Sequence, residues 1–236
     1  SGSQDIFICK LDANGNFVWA NQVGSTSIDR VRALRIDADQ NLLATGWFHG
    51  TADFNSGAGT HNLTAPGINV NCFVLKLDNG GNFVWAKSIQ SNQFNGGISV
   101  DVDNSNHIYV AGTFEGTADF DTGASTENHT SVGSDDSFIL KLDDAGTFIW
   151  MQQIGGTSYD GITEMTIDLN NNIISAGYFD GTCDFDPTAS SFNLSSAGTL
   201  EEIFVMKLSQ CNNDVTDPVA DVLTLSDITN QCSVTS

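Results

Sequence analysis

Residues 5–20 read DIFICKLDANGNFVWA. An apolar stretch ends in Lys10-Leu11-Asp12, a run of Asp, Asn and Gly follows, and a second apolar stretch carries Phe17-Val18-Trp19. Strand, tight turn, strand is the order such a pattern predicts. The stretch is decisive because it returns. Lys10-Leu11-Asp12 recurs as Lys76-Leu77-Asp78, Lys141-Leu142-Asp143 and Lys207-Leu208-Ser209, a step of about 66 residues. Phe17-Val18-Trp19 recurs as Phe83-Val84-Trp85 and Phe148-Ile149-Trp150.

Other landmarks keep the same step. Ile36-Asp37 returns as Val102-Asp103 and Ile167-Asp168, and Gly46 returns as Gly112 and Gly177. Gly50-Thr51-Ala52-Asp53-Phe54 returns as Gly116 to Phe120 and as Gly181 to Phe185. Each unit reads as two hairpins. In the second unit the predicted strands are Phe73 to Leu77, Phe83 to Ile89, Ile98 to Asp103 and Ile108 to Phe114, grouped as one four-stranded blade. The GTADF segment and His61-Asn62-Leu63-Thr64 then form a decorated connection or a short edge strand. A lone sheet with two apolar faces cannot bury both, so the units must stack. The expected fold is all-β, with β-propeller blades of four antiparallel strands followed by the start of a β-sandwich module.

Each repeated Trp buries roughly 150 to 250 Å², or about 4 to 6 kcal/mol at ~25 cal/mol per Å² before entropy, so core packing explains Trp19, Trp85 and Trp150 without a ligand. Trp47 is replaced by Thr113 and Tyr178 in the later units and is expected to be local or exposed.

Composition agrees with this class. Of 236 residues 40% are hydrophobic, and 23 Gly against 3 Pro suit many short strands and tight turns. The formal net charge of −21 leaves too little positive charge to neutralise phosphates and argues against a nucleic-acid partner. No apolar run reaches the ~18 residues of a spanning helix, which argues against membrane insertion, and Ser1-Gly2-Ser3-Gln4 does not resemble a signal peptide. Cys9, Cys72, Cys183, Cys211 and Cys232 lack CxxC spacing and have no nearby His, so zinc has little support.

Motifs such as DIFICKLDANGNFVWA, SFILKLDDAGTFIW and GTADFD resemble the SBBP-type β-propeller repeats of secreted Bacteroidetes proteins, over about residues 1–209. The units fall near 5–70, 71–135 and 136–200, with a first strand of a fourth at 201–209. Residues 1–7 match the middle of a later unit, so further blades are expected upstream or on companion chains. Residues 210–219 read as a linker. The run from 220 to 236 resembles the opening of a hyalin-repeat-like, immunoglobulin-type module. That second resemblance implies that Cys232 pairs with a residue beyond Ser236. Pairing of Cys211 with Cys232 is the alternative, and its ~20-residue loop would contribute about 3 kcal/mol.

The sharpest chemical candidate is an acidic set that repeats with the unit: Asp53 and Asn55; Glu115, Asp119 and Asp121; Asp180, Asp184 and Asp186. Oxygen donors suit calcium, and an ion there would stiffen a loop. The competing explanation is that each Asp closes a turn beside a buried Phe. A second acidic series, starting at Asp37, Asp101 and Asp168, lacks the Gly and distal Glu of a calcium loop and reads as hairpin turns. Asn62, Asn128 and Asn193 match the N-glycosylation pattern, with edge-strand Asn as the simpler explanation.

The stretch from Asp12 to Trp19 also echoes the Gly-to-Trp docking motif of quinoprotein propellers, which raises an enzyme hypothesis. His49, His61, His107 and His129 are out of register, and no nucleophile pair or phosphate loop can be placed, so no catalytic residue is assigned. The expectation is a non-catalytic structural or adhesive module of a secreted or cell-surface protein, with protein or glycan partners. A calcium-stiffened, carbohydrate-binding propeller is the alternative.

Overall fold

A computed structural model describes residues 4–67, 69–186, 191–198, 201–209 and 219–221. Every named element among them is a β-strand, and every strand pairing is antiparallel. The first hairpin pairs β1 (Ile6–Leu11) with β2 (Phe17–Val23). The second sheet opens with β3 (Arg30–Ile36) and β4 (Leu42–His49). The chain then leaves for a two-stranded ribbon, β5 (Thr51–Asp53) and β6 (Asn62–Thr64), and returns as β7 (Val70–Leu77) and β8 (Phe83–Ser91). Pairing within this sheet runs β3-β4-β7-β8.

The third sheet repeats the plan with β9 (Asn95–Val102), β10 (Ile108–Asp119), β11 (Asn128–Leu142) and β12 (Phe148–Gly156). Here the ribbon is continuous with the ends of β10 and β11, after a register shift between Glu115 and Thr117. The fourth sheet comprises β13 (Asp160–Ile167) and β14 (Ile173–Phe179) and, after the chain leaves for the ribbon β15 (Thr182–Asp184) and β16 (Asn193–Ser195), β17 (Glu202–Ser209) and β18 (Val219–Asp221).

This pairing corrects the expected grouping of strands. The strands predicted at 73–77, 83–89, 98–103 and 108–114 do not share one four-stranded unit: the first two close the second sheet and the last two open the third. Each sheet is therefore out of phase with the sequence unit by one hairpin. The physical reason is the β4–β7 ladder, in which Leu42 to His49 pairs residue by residue with Leu77 to Val70 across the ribbon insertion. The ribbon lies inside a sheet's chain path, and it also touches the preceding sheet, since Ala118 and Asp119 pair with Ser91 and Gln90. β15 does the same against Gly155 and Gly156. Val219–Asp221, expected at the linker and the start of a second module, pairs with β17. The remaining residues of 210–236, with Cys211 and Cys232, lie outside the described residues.

Alternation along each strand sends neighbouring side chains into different cores. Leu42 and Ala44 pack with Ile6, Ile8 and Val23 of the first hairpin. Leu43, Cys72 and Val74 pack instead with Val100, Val110 and Leu140 of the third sheet. Tyr109 and Ile139 turn to Met165, Phe204 and Met206 of the fourth. Consecutive sheets thus bury their faces against each other, and β7 is buried along its whole length.

Candidate functional site

The sheets have two kinds of end. At one end lie the hairpin turns. Asp12, Asp78 and Asp143 each accept from backbone N–H groups two and four residues on. Asp37, Asp103 and Asp168 do the same in the other turn series, as the sequence predicts. Hydrogen bonds from Asn82 keep the Asp78 carboxyl below the ordinary carboxylate range. Burial works to raise Asp37, but hydrogen bonds from Lys76 and Asn41 outweigh it and hold that carboxyl low as well.

The same end carries the contacts between sheets. Trp19 Nε1 donates to the Asn79 carbonyl at 3.2 Å and Trp85 Nε1 to the Asp144 carbonyl at 3.2 Å. Under each indole sits a glycine of the next turn: a Cβ on Gly81 would lie 2.6 Å from Trp19, and one on Gly146 would lie 3.2 Å from Trp85. Both glycines have positive φ, 81° and 77°. Gly-to-Trp docking is therefore a joint between sheets, and Trp85 and Trp150 line the inter-sheet cores. Lys76, only 3% exposed, reaches Asp37 Oδ2 at 2.9 Å in its own sheet and Asp144 in the next. Trp47 lies outside this series, with the Arg30 guanidinium 5.3 Å from its ring.

The ribbons explain most of the eight candidates, seven acids and Asn55. Asp53 Oδ1 accepts from the backbone of Asn55 and His61, Asp119 Oδ1 from Asp121 and Glu127, and Asp184 Oδ1 from Asp186 and Phe192. Beside each Asp a buried Phe is locked: Phe54 against Phe48 and Phe73, Phe120 against Phe114 and Phe138, Phe185 against Phe179 and Phe204, with ring centroids 5.0–5.3 Å apart. Asn55 and Asp121 cap the following glycine, Gly57 and Gly123. Asp180 accepts from the Gly181 N–H. Among the described residues, no three His, Cys, Asp or Glu side chains converge as a metal site. Asp53, Asp119 and Asp184 thus each close a turn of their ribbon. Asn62, Asn128 and Asn193 are exposed at the start of the second ribbon strand.

The opposite end, where the chain crosses from one sheet to the next, is built differently. A shallow cleft of about 240 Å³ is lined by Phe94, Glu115, Ser134, Asp135 and Tyr159. Phe94 precedes β9 and Tyr159 precedes β13, so both rings ride on the crossover loops, 37% and 56% exposed. Glu115 and Asp135 face each other across the β10–β11 ladder. Burial first, then the charges of Glu115 and Asp136, push the Asp135 carboxyl up. Two aromatic faces beside paired acids form a surface for cationic or hydroxyl-rich groups.

Glu115 is the one candidate residue of this cleft that the sequence analysis names. Phe94 and Tyr159 were missed, although their repeat position is legible: Ile28, Phe94 and Tyr159 each stand immediately before Asp29, Asn95 and Asp160. Asn95, Asp136 and Asp160, each next in sequence to a residue of the cleft, are buried. The Asp160 carboxyl is pushed up to about 6, chiefly by burial, with the Asp136 charge adding to it.

Over 221 residues the chain is 27% identical to an uncharacterized WD repeat-containing protein of Acanthamoeba polyphaga mimivirus, covering 83% of this chain. Taken with the stacked antiparallel sheets, that likeness marks a β-propeller-like repeat protein. The chain is also 25% identical over 151 residues to the regulatory protein FlaEY of Caulobacter vibrioides, covering 60% of this chain. It spans 16% of the length of each of these relatives. No family model matches it.

Proposed function

We propose that the chain is a non-catalytic interaction scaffold within a larger secreted or cell-surface protein, built to hold the crossover-end cleft rigidly in front of a protein or glycan partner. The observation that carries this reading is the pair of exposed rings, Phe94 and Tyr159, set beside Glu115 and Asp135 on a repeat whose other end is closed by turns and inter-sheet joints. Likeness to a WD repeat-containing protein supports a repeat-built interaction scaffold. Its partners at the cleft would present ammonium, guanidinium or sugar hydroxyl groups.

The test is binding of the full chain to glycan and basic-peptide arrays, followed by Phe94→Ala/Tyr159→Ala on any ligand found. The double variant should weaken binding at least about tenfold, the size of a lost aromatic contact near 1.4 kcal/mol, while the melting temperature stays put. Binding untouched by the double variant would remove the cleft from the proposal. Calcium added in the same assay tests the calcium-stiffened, carbohydrate-facing alternative: a calcium-dependent rise in melting temperature, abolished by Asp119→Asn, would favour it.

A further inference from the structure

Three polar side chains are identical in all three ribbons: Thr51, Asp53 and Asn62, with Thr117, Asp119 and Asn128, and Thr182, Asp184 and Asn193. The fold accounts for two of these columns. The Thr51, Thr117 and Thr182 hydroxyls pair across the ribbon with those of Thr64, Thr130 and Ser195, at 3.0, 2.8 and 2.7 Å. The aspartates close their turns. The Asn column has no such task. Among the described residues no hydrogen bond or ring contact reaches the side-chain amide of Asn62, Asn128 or Asn193, and all three residues are exposed. A solvated ribbon edge asks only for polarity, and neighbouring positions drift accordingly: Asn55, Asp121 and Asp186 in one column, His61, Glu127 and Phe192 in another.

Each Asn is followed two residues on by the hydroxyl of Thr64, Thr130 or Ser195, and alternation along the strand places both on its exposed face. The residue between them turns inward: Leu63 and Leu194 pack on their cores, and His129 lies against the Phe120 ring. We propose that Asn62, Asn128 and Asn193 are acceptors for N-linked glycans. A transferase that reads Asn-x-Ser/Thr would join Asn Nδ2 to the anomeric carbon of a sugar diphosphate donor. The N–C bond forms as the C–O bond to the diphosphate breaks; the diphosphate leaves with the electron pair, and Nδ2 gives one proton to a base of the transferase. In the closed ribbon the second hydroxyl of the motif is engaged by Thr51, Thr117 or Thr182, so transfer precedes ribbon closure. The modified side chains stand on the solvent side of the ribbon, and the fold accepts them. The inference shares with the proposed function only the secreted setting and needs no partner at the cleft.

Mass spectrometry of the full chain, led through a eukaryotic secretory pathway behind a cleavable leader, tests it. Sugar should be found on each of the three Asn, one mass step should disappear with each Asn→Gln, and the triple variant should carry none. Because no replaced amide makes a hydrogen bond, the triple variant should melt with the unmodified chain made without a leader. Thr64→Ala should empty Asn62 while Asn62 itself is intact, and Thr64→Ser should refill it, readouts that a merely solvated Asn would not move. Three bare Asn in the translocated chain, or occupancy of Asn62 indifferent to Thr64→Ala, would overturn the proposal. A cleft that binds nothing leaves these occupancies untouched, so the two readings fall separately.

Discussion

The turn end and the crossover end of these sheets are made from the same repeat and obey different rules. At the turn end Asp12, Asp78 and Asp143 close their turns alike, and Trp19 and Trp85 rest on Gly81 and Gly146 of the next sheet. At the crossover end equivalent positions diverge: Ile28, Phe94 and Tyr159 in one column; Trp47, Thr113 and Tyr178 in another; His49, Glu115 and Asp180 in a third. Among the described residues, buried side-chain atoms of Asn71, Asn95, Asp136, Ser137, Asp160 and Ser175 make no hydrogen bond to another protein group. Uniform residue types mark the turn end, and varied residue types mark the crossover end.

The strongest way to break this contrast is at the turn end. Lys76→Met strips the cation from Asp37, whose side chain is 1% exposed, and removing one partner of a buried pair costs about 3–5 kcal/mol. Chemical denaturation should show a loss of that size, and a loss below about 1 kcal/mol would mean that the joint is ornamental. Gly112→Ala comes next, because the new Cβ would strike the Gly96 carbonyl oxygen and the Phe138 ring at a register shift in the β9–β10 ladder. Backbone cannot yield as a flexible side chain does, so overpacking of about 1–3 kcal/mol is expected.

At the crossover end the sharper probe is pH. Folding lifts the Asp160 carboxyl from 3.8 to about 6, so the native state favours the protonated form. The resulting stability is fully present below 3.8 and is lost as pH rises through 6. The melting temperature should climb between pH 7 and pH 5, and Asp160→Asn should flatten that climb while stabilising the protein at pH 7; an unchanged profile would refute it. The third sheet already carries Asn95 at this place. The smallest effect is expected at a ribbon. Asp119→Ala removes the acceptor for the Asp121 and Glu127 N–H groups and should cost about 1 kcal/mol, as for a lost cap, without altering the melt of any variant made in another sheet by more than its own share.

Much of the scaffold was legible in the sequence because its devices are local. An Asp four residues before its hydrogen-bond donor, a Gly that needs positive φ and a Trp at a fixed step all recur visibly. Strand grouping was not legible, because periodicity is blind to phase. Whether β8 continues beside β9 or β4 reaches across to β7 is decided by a long-range ladder and by the ribbon between them. The acidic ribbon residues were visible as a set, but only coordinates show their oxygens turned to backbone N–H groups. Phe94 and Tyr159 escaped notice because their residue types change from unit to unit and their exposure depends on neighbours two strands away.

The ribbons carry one mechanical consequence. Because the arm ending β10 is laced both to its own sheet and to Ser91 of the preceding one, tension on the chain would have to unfasten that short ladder before two neighbouring sheets could part. Stretching in a single-molecule trap should then release the molecule in discrete steps, one sheet per event, with each ribbon acting as a small latch that can snap shut again when the load falls.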